Sequence, residues 1–349
     1  MNILVIRYRF IGDTILTVPF LRNLRYANPD GNIDLVVAPY SSDVLQGIPY
    51  VDNLIVYDPP TIHADSRGEH RSLSSKIAFI KSLRSNNYDK AYVLKRSLSS
   101  AIIARLSGAL ERIGFDTERR GFLLSSKVPY RHDQHEVENF LDILRADGVK
   151  IVDDYLEAWI SPPEEEFANS FFTGGGISED DVVLGLHPFT AVRERSWHED
   201  NFIEVSRRLG ESHGVKTLIF GGPGDVSQLG PFIKGIHPPP LIAAGKTDLR
   251  QSMALIKKCS LLICNDSGVM HLGAALGTPL IALFGPQSPV KFGPWGINSK
   301  VVYKEFPCSP CRQRFFEECE PSEREKPMCM ESITPEEIAS MAKEFFEKV

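Results

Sequence analysis

The sequence predicts an α/β protein built on two parallel sheets, each covered by helices on both faces. Three observations carry this. Short apolar runs alternate with amphipathic segments from the first residues onward. The alternation stops near residue 160 and restarts after residue 180. At 349 residues the chain is also too long for one ordinary core.

The elements follow in order. ILVIRY (3–8) reads as the first strand and Thr14 to Arg25 as a helix, with Ile15, Val18, Leu21 and Leu24 on one side. Strands IDLVVAP (33–39) and LIVYD (54–58), a helix from Ser74 to Ser85, strand AYVLK (91–95) and a helix over 99–107 complete the first half. SPPEEEFANSFFTGGGISEDD (161–181) is a helical piece bounded by Pro and Gly. The second half runs VVLGLHP (182–188), a helix over 199–212, TLIFGG (217–222), a helix over 248–258, LLICN (261–265), a helix over 268–277 and PLIALFG (279–285). Strand–helix alternation of this kind is the signature of two Rossmann-like domains, with a cleft expected between them. The expected domains are 1–160, 161–333 and a terminal helix over 334–349, opened by Thr334-Pro335-Glu336-Glu337.

Composition excludes several function classes. Hydrophobic content of 42% and charged content of 24% belong to a globular protein rather than a disordered one. A net charge of −6 argues against a general nucleic-acid binder. No apolar run reaches the roughly 18–20 residues of a membrane span. MNILVIRYRF lacks the layout of a signal peptide, so a cytoplasmic protein is expected.

Ligands of such sheets bind beyond the carboxyl ends of the strands. There, Asp266-Ser267-Gly268 opens the helix that carries His271. A helix N-terminus offers unpaired N–H donors and partial positive charge to a phosphate, and Gly268 lets a ligand approach the backbone. Asp266 and Ser267 serve equally as ordinary caps. After the strand 182–188, Thr190 offers a donor to a phosphate oxygen, and Arg193 or Arg195 offers a neutralising charge. Gly221-Gly222-Pro223-Gly224 and Ala244-Gly245-Lys246-Thr247 are further strand-end loops. The chain has neither GxxxxGK[ST] nor a strand-linked GxGxxG, which argues against an ordinary P-loop NTPase or dehydrogenase. In the first half, Gly12-Asp13-Thr14 stands where loop becomes helix. Asp13 there is a helix cap or a general base, with Gly12 permitting close approach of an acceptor.

The ordered set IGDTILTVPFLRNLR, RSLSSAIIARLSGALERIGFD (96–116), HPFTAVRERSW, FGGPGD (220–225), GKTDL (245–249) and NDSGVMHLGAALGTPLIALFG resembles glycosyltransferase family 9, the lipopolysaccharide heptosyltransferases. The resemblance implies a two-domain GT-B fold, with the acceptor on the first domain, the nucleotide sugar on the second, and the last helix (334–349) expected to cross back toward the first domain. It also implies inverting, metal-independent transfer of heptose from ADP-heptose to the lipopolysaccharide inner core. By the same resemblance, Asp13 matches the general base and Arg195 the basic residue on the donor phosphates. Asp266 with the following loop (Ser267, Gly268, His271) matches the donor site, and Thr247 the approach to the adenosine. The family often has lysine where this chain has Arg195, which keeps the charge. The lipid-linked acceptor is anionic, which makes Lys95, Arg96, Arg119 and Arg120 candidate acceptor contacts. The acceptor also implies transient contact with the cytoplasmic face of the inner membrane. Two rivals stay open: a same-fold enzyme with another nucleotide sugar or acceptor, and a non-catalytic nucleotide-sugar or glycan binder. Finally, Cys308, Cys311, Cys319 and Cys329 form C-x2-C-x7-C-x9-C, a spacing that admits a structural four-thiolate zinc site away from the chemistry.

Overall fold

A computed structural model of the chain describes residues 1–59, 68–296, 298–313, 319 and 322–347. The chain divides into two compact units, Met1–Trp159 and Ile160–Val349. The first holds a six-stranded sheet of β1 (Asn2–Ile6), β2 (Asn32–Val37), β3 (Asn53–Val56), β4 (Lys90–Val93), β5 (Glu111–Phe115) and β6 (Ser126–Val128), in the order β3-β2-β1-β4-β5-β6. The second holds β7 (Val183–His187), β8 (Lys216–Ile219), β9 (Leu241–Ile242), β10 (Leu261–Asn265), β11 (Leu280–Phe284) and β12 (Ser299–Tyr303), ordered β12-β11-β10-β7-β8-β9. All ten pairings are parallel. In each sheet the first strand of the unit lies beside the fourth, so strand order reverses between them. That reversal is the switch point at which open α/β sheets bind ligands.

The apolar runs form the central strands because burial on both faces leaves no room for polar alternation. β10 and β11 are buried throughout. The expected single helix over Thr14 to Arg25 is two helices, Ile11–Ile15 and Val18–Ala27. Pro19 is the cause: it has no N–H for the carbonyl of Ile15, and its ring excludes a continuous turn there. The helix Pro162–Gly174 begins with a reciprocal cap between Ser161 and Glu164, and Glu164 also pairs with Arg250 at 2.7 Å.

The terminal helix is Pro335–Phe346 and belongs to the second unit. Its buried face of Ile338, Ala339, Ala342 and Phe345 packs on the helix Glu199–His213 and joins the core of the second unit. An apolar stripe follows the nearest complementary apolar face, which here belongs to its own unit. Positions 348 and 349 of that segment lie outside the described residues.

Candidate functional site

In the first unit, the loop after β1 and the loop after β4 meet at the switch point. The β1 path continues as Arg7 donates its N–H to Val36 O, and Lys95 donates its N–H to Ile6 O. Asp13 sits inside the short helix Ile11–Ile15, whose N-cap is Phe10, so its carboxylate is not spent on capping. It pairs with Arg7 instead, Nη2 to Oδ1 at 2.8 Å. Arg7 is buried and lies over the Phe140 ring. Gly12 is buried beside Asp13. Lys95 places its ammonium 3.7 Å from the Tyr8 ring centre. Burial, with the positive charges of Arg9 and Arg7, pushes the Lys95 pKa down to about 8, against the opposing pull of Asp13 and Glu118. Arg96 lies over Tyr130 at 3.9 Å, and Arg119 is exposed.

Arg120 corrects the sequence reading. Its side chain is fully buried, and its guanidinium donates to Phe115 O at 3.1 Å, Ser97 O at 3.0 Å, Ser100 Oγ at 3.1 Å and Lys95 O. A guanidinium has five fixed donors, and here three backbone carbonyls near the ends of β4 and β5 and the Ser100 hydroxyl claim four contacts. Arg120 therefore braces the loop that presents Lys95 and Arg96, and it does not face an acceptor.

The second unit repeats the arrangement. The segment after β7 carries Thr190 and Arg195, and the loop after β10 carries Asp266 and Ser267. Asn265 ties the two together. It is fully buried, accepts from Trp197 N–H at 3.1 Å and donates to Pro188 O at 2.8 Å. The Trp197 indole is buried and donates to Ile333 O at 3.0 Å. These bonds bring Arg195 to Asp266, Nη1 to Oδ2 at 3.1 Å, while Arg195 Nε donates to Gln313 Oε1 at 2.9 Å. Burial raises the Asp266 pKa to about 6, with Arg195 pulling the other way.

Ser267 occupies the N-cap of the helix Gly268–Leu276 without a side-chain capping bond. Its hydroxyl faces His187 Nδ1 at 3.4 Å instead, and burial pushes the His187 pKa down to about 4. His271 lies buried on the same helix. Thr190 Oγ1 accepts from Val192 N–H at 3.3 Å. Thr247 is engaged locally, bonding Ala243 O at 3.2 Å and Ser252 Oγ at 2.7 Å, ahead of a helix capped by Asp248.

Two cavities lie in this unit. The larger, about 520 Å³, is lined by Thr190, Arg193, Trp197, Phe232 and Lys326 among others, but not by Arg195, Asp266, Ser267 or His271. Thr190, Arg193 and Trp197 line this cavity, whereas the Arg195–Asp266 pair lies outside its lining, so geometry at the strand ends, not cavity size, marks the site. The smaller, about 180 Å³, is lined by Cys308, Cys311, Cys319 and Cys329. Gln313 N–H donates to Cys311 Sγ at 3.3 Å, and burial pushes the Cys329 thiol up to about 12. Among the described residues no three His, Cys, Asp or Glu side chains are placed to hold a metal ion.

With this geometry in hand, the comparisons with known proteins decide the family. The profile of glycosyltransferase family 9 (heptosyltransferase) matches residues 76–319. The chain belongs to that family. Lipopolysaccharide heptosyltransferase 2 of Escherichia coli (strain K12) is 27% identical over 317 residues, covering 86% of this chain and 88% of the relative. A crystal structure of a family 9 glycosyl transferase from Veillonella parvula superposes with a TM-score of 0.87 at 26% identity, covering 100% of this chain and 98% of the other. The E. coli heptosyltransferase WaaC solved with ADP shares the fold, with a TM-score of 0.73 at 20% identity over 99% and 100% of the two chains. The family 9 chain is thus an α/β glycosyltransferase of GT-B architecture.

Sequence reasoning missed two residues that matter to this enzyme. Arg7 reads as an ordinary strand-end charge, and only the turn of the helix Ile11–Ile15 brings Asp13 to it. Asn265 carried a signal, a polar side chain inside an apolar strand, but its partners are 68 and 77 positions away.

Proposed function

We propose that this glycosyltransferase moves heptose from ADP-heptose to the lipid-linked inner core of lipopolysaccharide, at the cytoplasmic face of the inner membrane, with inversion at the anomeric carbon. Support for the donor and acceptor comes from the names of the relatives, a lipopolysaccharide heptosyltransferase and a heptosyltransferase solved with ADP. The observation that carries the mechanism is the pairing of Asp13 with Arg7 at the first switch point and of Asp266 with Arg195 at the second.

The Asp13 carboxylate takes the proton of the acceptor hydroxyl as that oxygen bonds to the anomeric carbon. The bond from that carbon to the ADP oxygen breaks, and ADP departs with its added charge. Arg195, the Thr190 hydroxyl and the N–H groups opening the helix Gly268–Leu276 meet that charge. To do so Arg195 gives up part of its bond to Asp266, whose carboxyl is then available to sugar hydroxyls. Lys95, Arg96 and exposed Arg119 supply positive charge to the anionic acceptor.

Asp13→Asn is the test. It keeps the shape and removes the base, so turnover falls about 100- to 10,000-fold while ADP-heptose binding persists. An undiminished rate returns Asp13 to a structural role with Arg7.

Transfer is also expected to survive EDTA, because protein groups meet the diphosphate charge. Activity lost with chelator and restored by Mg²⁺ contradicts this. The four cysteines are a separate, structural matter. Their shared cavity and the N–H donor on Cys311 suit thiolate ligation of zinc, but the segment has to draw in around the ion. Metal analysis of the purified chain reads this directly: about one zinc per chain supports the site, and none removes it.

A further inference from the structure

The first unit carries an apolar face that its own core does not use. In the helix Leu98–Leu106, Ser100, Ala101, Ile103 and Ala104 are buried against the sheet. The outward side is apolar as well: Leu98, Ile102 and Leu106 recur every four residues and are each more than 40% exposed. Beyond them stand Leu110, 75% exposed, and Phe122, 77% exposed, in the turn Gly121–Leu123 that packs on this helix. The neighbouring helix Leu73–Ser85 packs alongside and adds exposed Leu73 and Ile77. A helix that already buries one apolar face and still exposes a second apolar stripe to water has an unfilled partner.

The charge on this face selects the partner. The two helices hold Lys76, Lys81, Arg84 and Arg105 and no acidic residue, in a chain of net charge −6. Among the described residues no ion pair is formed by Lys81, Arg84 or Arg105, and all three are exposed. Arg84 lies beside Gly108 at the end of the second helix, so the cations border the apolar stripe. Apolar side chains ringed by cations match an anionic lipid surface, where acyl chains take the former and headgroup phosphates the latter. A second copy of the chain fits poorly, because a two-fold pairing of this face brings cations toward cations.

We propose that this face docks the enzyme on an anionic bilayer. The proposal deepens the lipid-linked acceptor reading and rests on it, yet its test needs no acceptor. The full chain is sedimented with vesicles of phosphatidylglycerol and phosphatidylethanolamine, and with vesicles of phosphatidylcholine alone. Binding to the anionic vesicles is expected to exceed binding to the neutral ones by at least tenfold and to weaken with salt. Combining Leu98→Ser, Ile102→Ser and Leu106→Ser lowers it at least tenfold. Combining Lys81→Gln, Arg84→Gln and Arg105→Gln lowers it about fivefold per cation and weakens the salt dependence. Phe122→Ser, in an exposed turn, gives a smaller loss and covers the case in which a triple variant fails to fold. Wild-type chain left in the supernatant with both vesicles, variants that bind as wild type does, or a dimer that the apolar variant dissociates would each overturn the proposal. Vesicle binding by a chain that transfers no heptose leaves the docking face standing and removes only the functional reading.

Discussion

Asp266 holds its proton more tightly than an ordinary carboxyl because burial outweighs the help of Arg195. Its folded-state pKa lies above the unfolded value, so the unfolded chain releases its proton first. Stability therefore falls as pH rises through the window from the ordinary carboxyl value to about 6, and the cost is complete above it. Asp266→Asn removes that cost and is expected to gain roughly 2–3 kcal/mol above pH 6, with no gain below about pH 4. Thermal melts at the two ends of that window check it, and equal shifts at both would contradict the burial argument. The same variant is expected to lose donor affinity, since an amide is a poorer acceptor for sugar hydroxyls. A stability gain joined to a functional loss is what a residue kept for chemistry shows. Lys95 has the complementary position, a cation whose charge is weakened by burial and by Arg9 and Arg7, and it is well placed to gain from an arriving anion.

Elements place these residues, and the strand ends do most of it. Asn265 holds the segment after β7 to the end of β10 through Trp197 N–H and Pro188 O. Asn265→Ala leaves both backbone groups buried and unpaired, so unfolding by urea is expected to show a loss of roughly 2–4 kcal/mol. Donor binding weakens with it, because Arg195 lies two residues before Trp197. Unchanged donor affinity in a destabilised variant would mean that the segment is held by other bonds. Most central strands were legible in the sequence because full burial writes itself as an unbroken apolar run; interior β5, which opens with Glu111 and Arg112, was not. Of the edge strands only β3 was read. β6 has two of three residues exposed, β9 is half-buried, and β12 is buried only at Val302, so none carries an apolar signal. The helix Glu136–Ala146 was not read, although its acidic first turn and the spacing of Val137, Phe140, Leu141 and Leu144 are helix signals. Arg120 was misread because its sequence neighbours are charged and exposed, while its partners lie at the ends of two strands.

At the scale of the molecule, one topology is used twice. Each unit places a charged pair at the switch point of a six-stranded parallel sheet, a carboxylate held by an arginine: from the same segment after β1 in the first unit, and from the adjoining segment after β7 in the second. The chemistry differs through burial. Asp13 keeps about a fifth of its side chain exposed, which the proposed base requires, whereas Asp266 is nearly sealed. Motif order along the chain made the family legible, since four of the six quoted segments begin at the loops after β1, β4, β7 and β10. The choice of sugar was not legible. The most direct measurement is therefore a transfer assay across nucleotide sugars with an isolated inner-core acceptor, following acceptor mass and nucleotide release together. The account predicts that ADP-heptose alone adds one heptose per acceptor and releases one ADP, with inverted anomeric configuration. Equal transfer from a UDP-sugar, or tight ADP-heptose binding with no transfer to any inner-core acceptor, would contradict it.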